Sequence, residues 1–90
     1  MEEKFLAALE ANRQKAEAQG VRIRAVKDMA QARRILSGSR TSDGFSLLAQ
    51  KGLLALSLEA LAVDKRYTPL FTDEEANEAL TRLLEAGYYF

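Results

Sequence analysis

The sequence predicts a mainly α domain of four or five helices around a central buried helix, with one short β element. Three observations support this prediction. Residues 45–63 are apolar on two sides when they are wound as a helix, so such a helix must be covered twice. Residues 21–25 alternate strictly between apolar and arginine side chains, which is the period of a half-buried strand. Thr72 and Glu75 supply the T-x-x-E signature of a helix start.

The first helix is predicted over residues 2–19, which are rich in alanine and glutamate. Its apolar face consists of Phe5, Leu6, Leu9 and Ala16. Gly20 follows, as expected of a glycine that ends a helix.

The short strand is predicted over residues 21–26, with Val21 and Ile23 on one face and Arg22 and Arg24 on the other. A lone strand leaves its backbone groups unpaired, so it needs a partner. The candidates are residues 88–90 or the same strand in a second copy. The alternative is an extended linker.

Asp28 is predicted to cap a short helix over residues 29–36. Residues 37–44, SGSRTSDG, favour turns and predict a mobile loop. We expect one domain over residues 1–90, in which this loop joins an αβα part (residues 1–36) to a helical part (residues 45–90). Ser42 or Asp43 would then cap the central helix.

The central helix, residues 45–63, has two apolar stripes. One stripe contains Leu47, Leu54, Leu58 and Leu61, and the other contains Phe45, Ala49, Leu53, Leu56, Ala60 and Val63. Gly52 costs about 1 kcal/mol relative to alanine inside a helix, which indicates a kink or a break there.

Residues 64–71 form a connection, since Pro69 excludes a continued helix. Leu70 and Phe71 are expected to pack back onto the core. Thr72 opens the last helix and Gly87 ends it. The predicted apolar face of that helix consists of Ala76, Ala79, Leu80, Leu83 and Leu84.

Composition argues against an enzyme. The chain has no cysteine and no histidine, so it lacks thiolate ligands, the commonest metal ligand and the usual general base near neutral pH. The acids Asp73 to Glu75 are better explained as first-turn residues that complement the helix dipole. We therefore expect no catalytic residue, no cofactor and no metal.

Charge is unevenly distributed although the net charge is zero. Residues 1–40 hold nine basic and five acidic residues (+4), and residues 41–90 hold four basic and eight acidic residues (−4). The candidate phosphate or nucleic-acid contacts are Arg22, Arg24, Lys27, Arg33, Arg34 and Arg40. The arginine-containing loop 37–44 could also hold an anion. A set without aromatic residues offers no stacking platform, so nucleic-acid binding is the disfavoured alternative.

The order of elements in residues 45–90 resembles a winged helix. Helices at 44–51, 58–63 and 73–86 would be followed by Gly87-Tyr88-Tyr89-Phe90 as a strand. This resemblance would make residues 73–86 a recognition helix for DNA. That helix begins with three acids and carries Glu78, which repel phosphates, and no wing follows it in the sequence.

The leading functional prediction is a non-catalytic interaction or assembly domain that self-associates, as a homodimer, or binds a protein partner. The reason is that the central segment is apolar on two sides, and the rest of a ninety-residue chain is expected to leave part of that apolar surface exposed. The candidate interface residues are Leu53, Leu56, Val63, Tyr67, Tyr88, Tyr89 and Phe90. Without a visible signal peptide, and with Lys51 and Glu59 inside its apolar centre, the chain is expected to be soluble and cytoplasmic, not membrane-bound.

Overall fold

The computed structural model describes residues 1–88 and is mainly helical, which confirms the predicted fold class. Its α-helices are α1 (Glu2–Ala18), α2 (Met29–Ser37), α3 (Phe45–Gln50), α4 (Leu58–Ala62) and α5 (Asp73–Glu85). Two single 3₁₀ turns, Leu54–Leu56 and Thr68–Leu70, lie between them.

Two of the helices begin at the caps that the sequence predicted. The Asp28 side chain accepts a hydrogen bond from the backbone N–H of Gln31 at 2.8 Å and starts α2. Thr72 and Glu75 form a complete capping box, in which each side chain accepts from the other residue's backbone N–H. The free N–H groups of a first turn need such acceptors, so these starts are specified locally.

The central segment, residues 45–63, is not one helix, because it breaks at Gly52, which is one of the two alternatives that the sequence indicated. Helix α3 ends at Gln50, and Gly52 lies in the left-handed region with φ of 70°. A 3₁₀ turn follows, and the Ser57 hydroxyl then caps α4 by accepting from the N–H of Ala60 at 3.1 Å. Because the chain changes direction between α3 and α4, side chains from both predicted stripes can face the interior.

The start of α3 also differs from the prediction, because neither Ser42 nor Asp43 caps it. The N-cap is Gly44, with φ of 77°. A Cβ atom there would lie 2.8 Å from the Cγ1 of Ile23, so Gly44 allows the loop to pass directly over residues 21–23. Asp43 instead accepts a hydrogen bond from the backbone N–H of Arg24 at 2.8 Å.

The predicted strand over residues 21–26 is not formed, and no strand occurs within residues 1–88. Val21 belongs to the end of α1, since its N–H donates to the Ala16 carbonyl at 2.9 Å beside Gly20, whose φ is 86°. Tyr88 ends α5 in the same way, donating to the Leu83 carbonyl. The rest of the proposed strand partner, Tyr89 and Phe90, lies outside the described residues.

The core consists of two adjoining clusters. In the first, Phe5 of α1 makes edge-to-face contacts with Tyr67 and Phe71, with ring centroids 5.4 and 5.2 Å apart. The second contains Ala16, Val21, Phe45, Leu48, Leu54 and Leu83. As predicted, Leu70 and Phe71 pack onto the first cluster. Helix α5 packs against α4 and α2, so the short buried α4 takes the central position predicted for a longer helix.

Candidate binding site

A cavity of about 470 Å³, which we call the arginine pocket, opens beside α1 and α2. Segments 38–43 and 56–58 complete its wall. Its apolar lining consists of Leu9, Ile23, Val26, Ile35, Leu56 and Leu58. Its size falls within the usual range for small-molecule sites, roughly 300 to 1,000 Å³.

The polar side of this pocket is dominated by guanidinium groups. Arg24, Arg34 and Arg40 line it, are exposed to solvent and make no ion pair within residues 1–88. Arg13 also lines it, but its charge is balanced by Glu10 at 2.6 Å. With Asp43 as the other acid in the lining, four cations face two carboxylates, an excess of two positive charges.

The predicted basic set is therefore divided by the fold. Arg24, Arg34 and Arg40 meet at one pocket, whereas Arg22 and Lys27 are exposed outside its lining. Arg33 does not belong to this group of free cations, because its Nε donates to both carboxylate oxygens of Glu75 at 3.1 Å. This pairing cannot be read from the positions of the charges in the sequence.

Beneath the pocket, Glu59 of α4 and Arg82 of α5 form a buried ion pair at 3.1 Å. Glu59 is fully buried and also accepts hydrogen bonds from the backbone N–H (2.8 Å) and hydroxyl of Ser42. The Arg82 Nη2 donates to the carbonyl oxygens of Gly38 (2.9 Å) and Leu36 (3.3 Å). The loop predicted to be mobile is thus anchored near both of its ends, which places Arg40 at the pocket.

The sequence contains a signal for this pair that the distribution of charge alone does not reveal. Glu59 interrupts the apolar run 53–63, and Arg82 lies next to Leu83 on the apolar side of α5. One acid and one base at core positions of two helices indicate a buried pair, since a lone buried charge is costly.

Glu75 is a second nearly buried carboxylate with several donors. Burial raises its pKa, but the backbone N–H of Thr72, the Arg33 guanidinium and the Ser37 hydroxyl together hold the pKa below the usual 4.5. These contacts tie the start of α5 to α2. Among the half-buried acids, Arg13 and Gln14 lower the pKa of Glu10 to about 2, and Arg66 lowers that of Asp64 to about 2.

The depressed pKa of Glu75 predicts a defined loss of stability in acid. Folding favours its ionised form, so its contribution is complete above pH 4.5 and is lost as the pH falls through the folded-state pKa. We expect Glu75→Gln to cost about 1 kcal/mol at pH 7 and the difference from wild type to shrink below pH 4.5. Urea unfolding between pH 2.5 and 7 tests this. Glu74→Gln, at an exposed neighbour, is the control. A pH-independent difference for Glu75→Gln would contradict the assignment.

The predicted interface residues lie in different environments. Tyr67 is buried in the first core cluster, so it is not available to a partner. Leu53, Val63 and Tyr88 are half-buried around the second cluster. Leu56 is also half-buried, but it lines the arginine pocket. The predicted contributions of Tyr89 and Phe90 fall outside the described residues.

Within residues 1–88, no helix has both the length and the apolar character needed to cross a bilayer. The same residues contain no cluster of three or more acidic, cysteine or histidine side chains arranged to hold a metal ion. Compared with known proteins, the chain matches no family model, no curated protein and no solved structure.

Proposed function

We propose that this chain is a cytoplasmic, non-catalytic interaction domain that assembles as a homodimer through α5. The observation behind this proposal is an apolar stripe on that helix, formed by Leu80 and Leu84, which one copy leaves partly uncovered. Leu84 was expected in the core, yet it is 43% exposed. It lies one turn after the half-buried Leu80, and the half-buried Tyr88 follows the end of the helix.

The α5 stripe borders an open groove of about 880 Å³ between α1, α4 and α5. Leu80 and Tyr88 line this groove together with Ala60 and Val63. A side chain from a second copy would bury additional apolar area there, and each Å² of buried apolar surface stabilises the dimer by about 25 cal/mol. The two interface residues Val63 and Tyr88, predicted from the sequence, are part of this surface.

Charges around the stripe support a second copy as the partner. Lys65 lines the groove and Glu85 follows Leu84, and neither side chain has an ion pair within the described residues. In a two-fold dimer the same patch occurs on both copies, so a base of one copy can meet an acid of the other. Such rim pairs favour a defined register more than they add affinity.

The side-chain inventory supports a role without catalysis. The chain contains no histidine or cysteine, and its most buried carboxylates, Glu59 and Glu75, already accept hydrogen bonds from arginine, serine and backbone groups. A general base needs access to a substrate proton, which these groups lack.

Light scattering coupled to size-exclusion chromatography tests the dimer. We expect the wild type to shift from monomer to dimer as its concentration rises into the micromolar range, and Leu84→Lys to remain monomeric. Leu47→Lys is the matched control, because Leu47 is 46% exposed and lies on α3. Circular dichroism should show the same helix content for all three proteins. A wild type that stays monomeric at several hundred micromolar would refute the proposal.

Nucleic-acid binding is the second candidate, supported by the exposed Arg22, Arg24, Lys27 and Arg40. Helix α5 is a poor recognition helix, since its one basic residue, Arg82, is buried against Glu59. A labelled 12-base-pair duplex, titrated at low and physiological salt, should bind with strong salt dependence if this candidate is correct.

A further inference from the structure

We propose that the arginine pocket binds a small aliphatic organic anion, with a carboxylate or phosphate head at the guanidinium groups and a hydrocarbon body on the apolar lining. This site lies apart from the α5 stripe and does not depend on the dimer.

The lining defines the body of the ligand. Leucine, isoleucine and valine make up its apolar part, and no aromatic residue among residues 1–88 lines the cavity. A purine or other flat ring would therefore find no stacking partner, whereas a flexible alkyl chain can fill a branched aliphatic surface. A volume of about 470 Å³ suits a medium-length chain better than a macromolecule.

The rim defines the head. Arg24, Arg34 and Arg40 have no carboxylate partner in the described chain, although Glu10 and Asp43 also face the cavity. Glu10 is already engaged by Arg13 and Gln14, and Asp43 accepts from a backbone N–H. The unpaired guanidinium groups therefore supply planar donor pairs that match a carboxylate or a phosphate.

The pocket wall is held in place before any ligand arrives. Ser42 and Gly38, at two points of the loop, are hydrogen-bonded to the buried Glu59–Arg82 pair. The hydroxyl-bearing Ser39 and Thr41 lie between these anchors and line the cavity beside Arg40. A wall that is already ordered loses less conformational entropy on binding, which favours affinity.

The test is a titration of isotope-labelled protein followed by amide NMR, with octanoate and octyl phosphate as the two head groups. Acetate is the control that has the charged head group but no long hydrocarbon chain, and 1-octanol is the control that has the octyl chain but no charge. We expect saturable shifts at residues 23–26, 34–43 and 56–58 with the two octyl anions, and no saturation with acetate or octanol at the same concentrations. Tighter binding of one octyl anion identifies the preferred head.

Arg34→Gln and Arg40→Gln should each weaken the binding of octyl anions at least about tenfold, the expected effect of losing one charge-assisted hydrogen bond. Arg22→Gln, an exposed arginine outside the lining, should leave the affinity unchanged. Equal melting temperatures would show that the variants remain folded. Leu84→Lys should also bind normally, which separates this site from the dimer.

Three results would overturn the proposal. In the first, octanol binds as tightly as octanoate. In the second, Arg22→Gln weakens binding as much as Arg34→Gln. In the third, the 12-base-pair duplex displaces octanoate at physiological salt, which would assign the arginines to nucleic acid instead.

Discussion

Arg82→Met is expected to lower the free energy of unfolding by about 3 to 5 kcal/mol, which is most of the stability available to so small a domain. The substitution keeps much of the side chain's volume but removes the cation. Glu59, which is fully buried, would then lose its Arg82 partner and keep only the two donors of Ser42. The carbonyl oxygens of Leu36 and Gly38 would lose their guanidinium donor as well.

Urea unfolding at pH 7 measures this effect, and Arg33→Met is the matched control. Arg33 also pairs with a nearly buried carboxylate, Glu75, but its own side chain is 47% exposed, so solvent screening should limit its loss to about 1 kcal/mol. The double variant Glu59→Gln/Arg82→Met should be more stable than the sum of the two single losses predicts, because it leaves no buried charge. Similar losses for Arg82→Met and Arg33→Met would show that the buried pair has no special role.

The helix ends that were predicted correctly from the sequence depend on neighbours within five residues. The caps at Asp28 and Thr72, and the end of α1 at Gly20, each involve a side chain or backbone group beside the helix terminus. Such local hydrogen bonds are encoded directly in short sequence patterns. The starts of α2 and α5 were therefore predicted to the residue.

The incorrect predictions concern features that depend on distant parts of the chain. Alternation in residues 21–25 predicted a strand, but an extended segment becomes a strand only when another segment pairs with it. Here the Asp43 carboxylate accepts a hydrogen bond from the backbone N–H of Arg24, 19 residues away, and Gly44 passes over Ile23. The alternation is visible in the sequence, whereas the absence of a pairing strand within residues 1–88 is not.

The two apolar stripes of residues 45–63 show the same limit. They indicated correctly that the segment is buried, since Phe45, Leu48, Leu54, Leu58 and Leu61 are core residues. A second copy would be required if the segment were one straight helix, because such a helix presents two apolar sides. The break at Gly52 lets one copy bury Leu54, Leu58 and Leu61 of one stripe and half-bury most of the other stripe. The observation that favours a partner is then the exposed Leu84 of α5.

The candidate site was predictable only in part. Three of its arginines, Arg24, Arg34 and Arg40, were identified as basic candidates from charge alone. Their convergence on an apolar cavity depends on the Glu59–Arg82 pair, whose members are 23 residues apart in sequence. Charge counts locate potential ligands of an anion, but only the packing decides which of them share a pocket.

Leu54→Asp is expected to unfold the protein at 25 °C, because it would place an unpaired carboxylate in the second core cluster. Leu54 is only 5% exposed and packs in the same cluster as Leu48 and Leu83. Loss of a buried leucine costs about 2 to 5 kcal/mol, and burial of a charge without a partner adds to that cost. Far-UV circular dichroism and thermal melting measure the outcome.

The neighbours of Leu54 in the same 3₁₀ turn region supply graded controls. Ala55 is exposed, so Ala55→Asp should change stability by less than about 0.5 kcal/mol. Leu53 is half-buried, so Leu53→Asp should have an intermediate effect. If Leu54→Asp kept its helical signal and melted within a few degrees of Ala55→Asp, Leu54 could not lie in the core. The arrangement of α3, the 3₁₀ turn and α4 described above would then be incorrect.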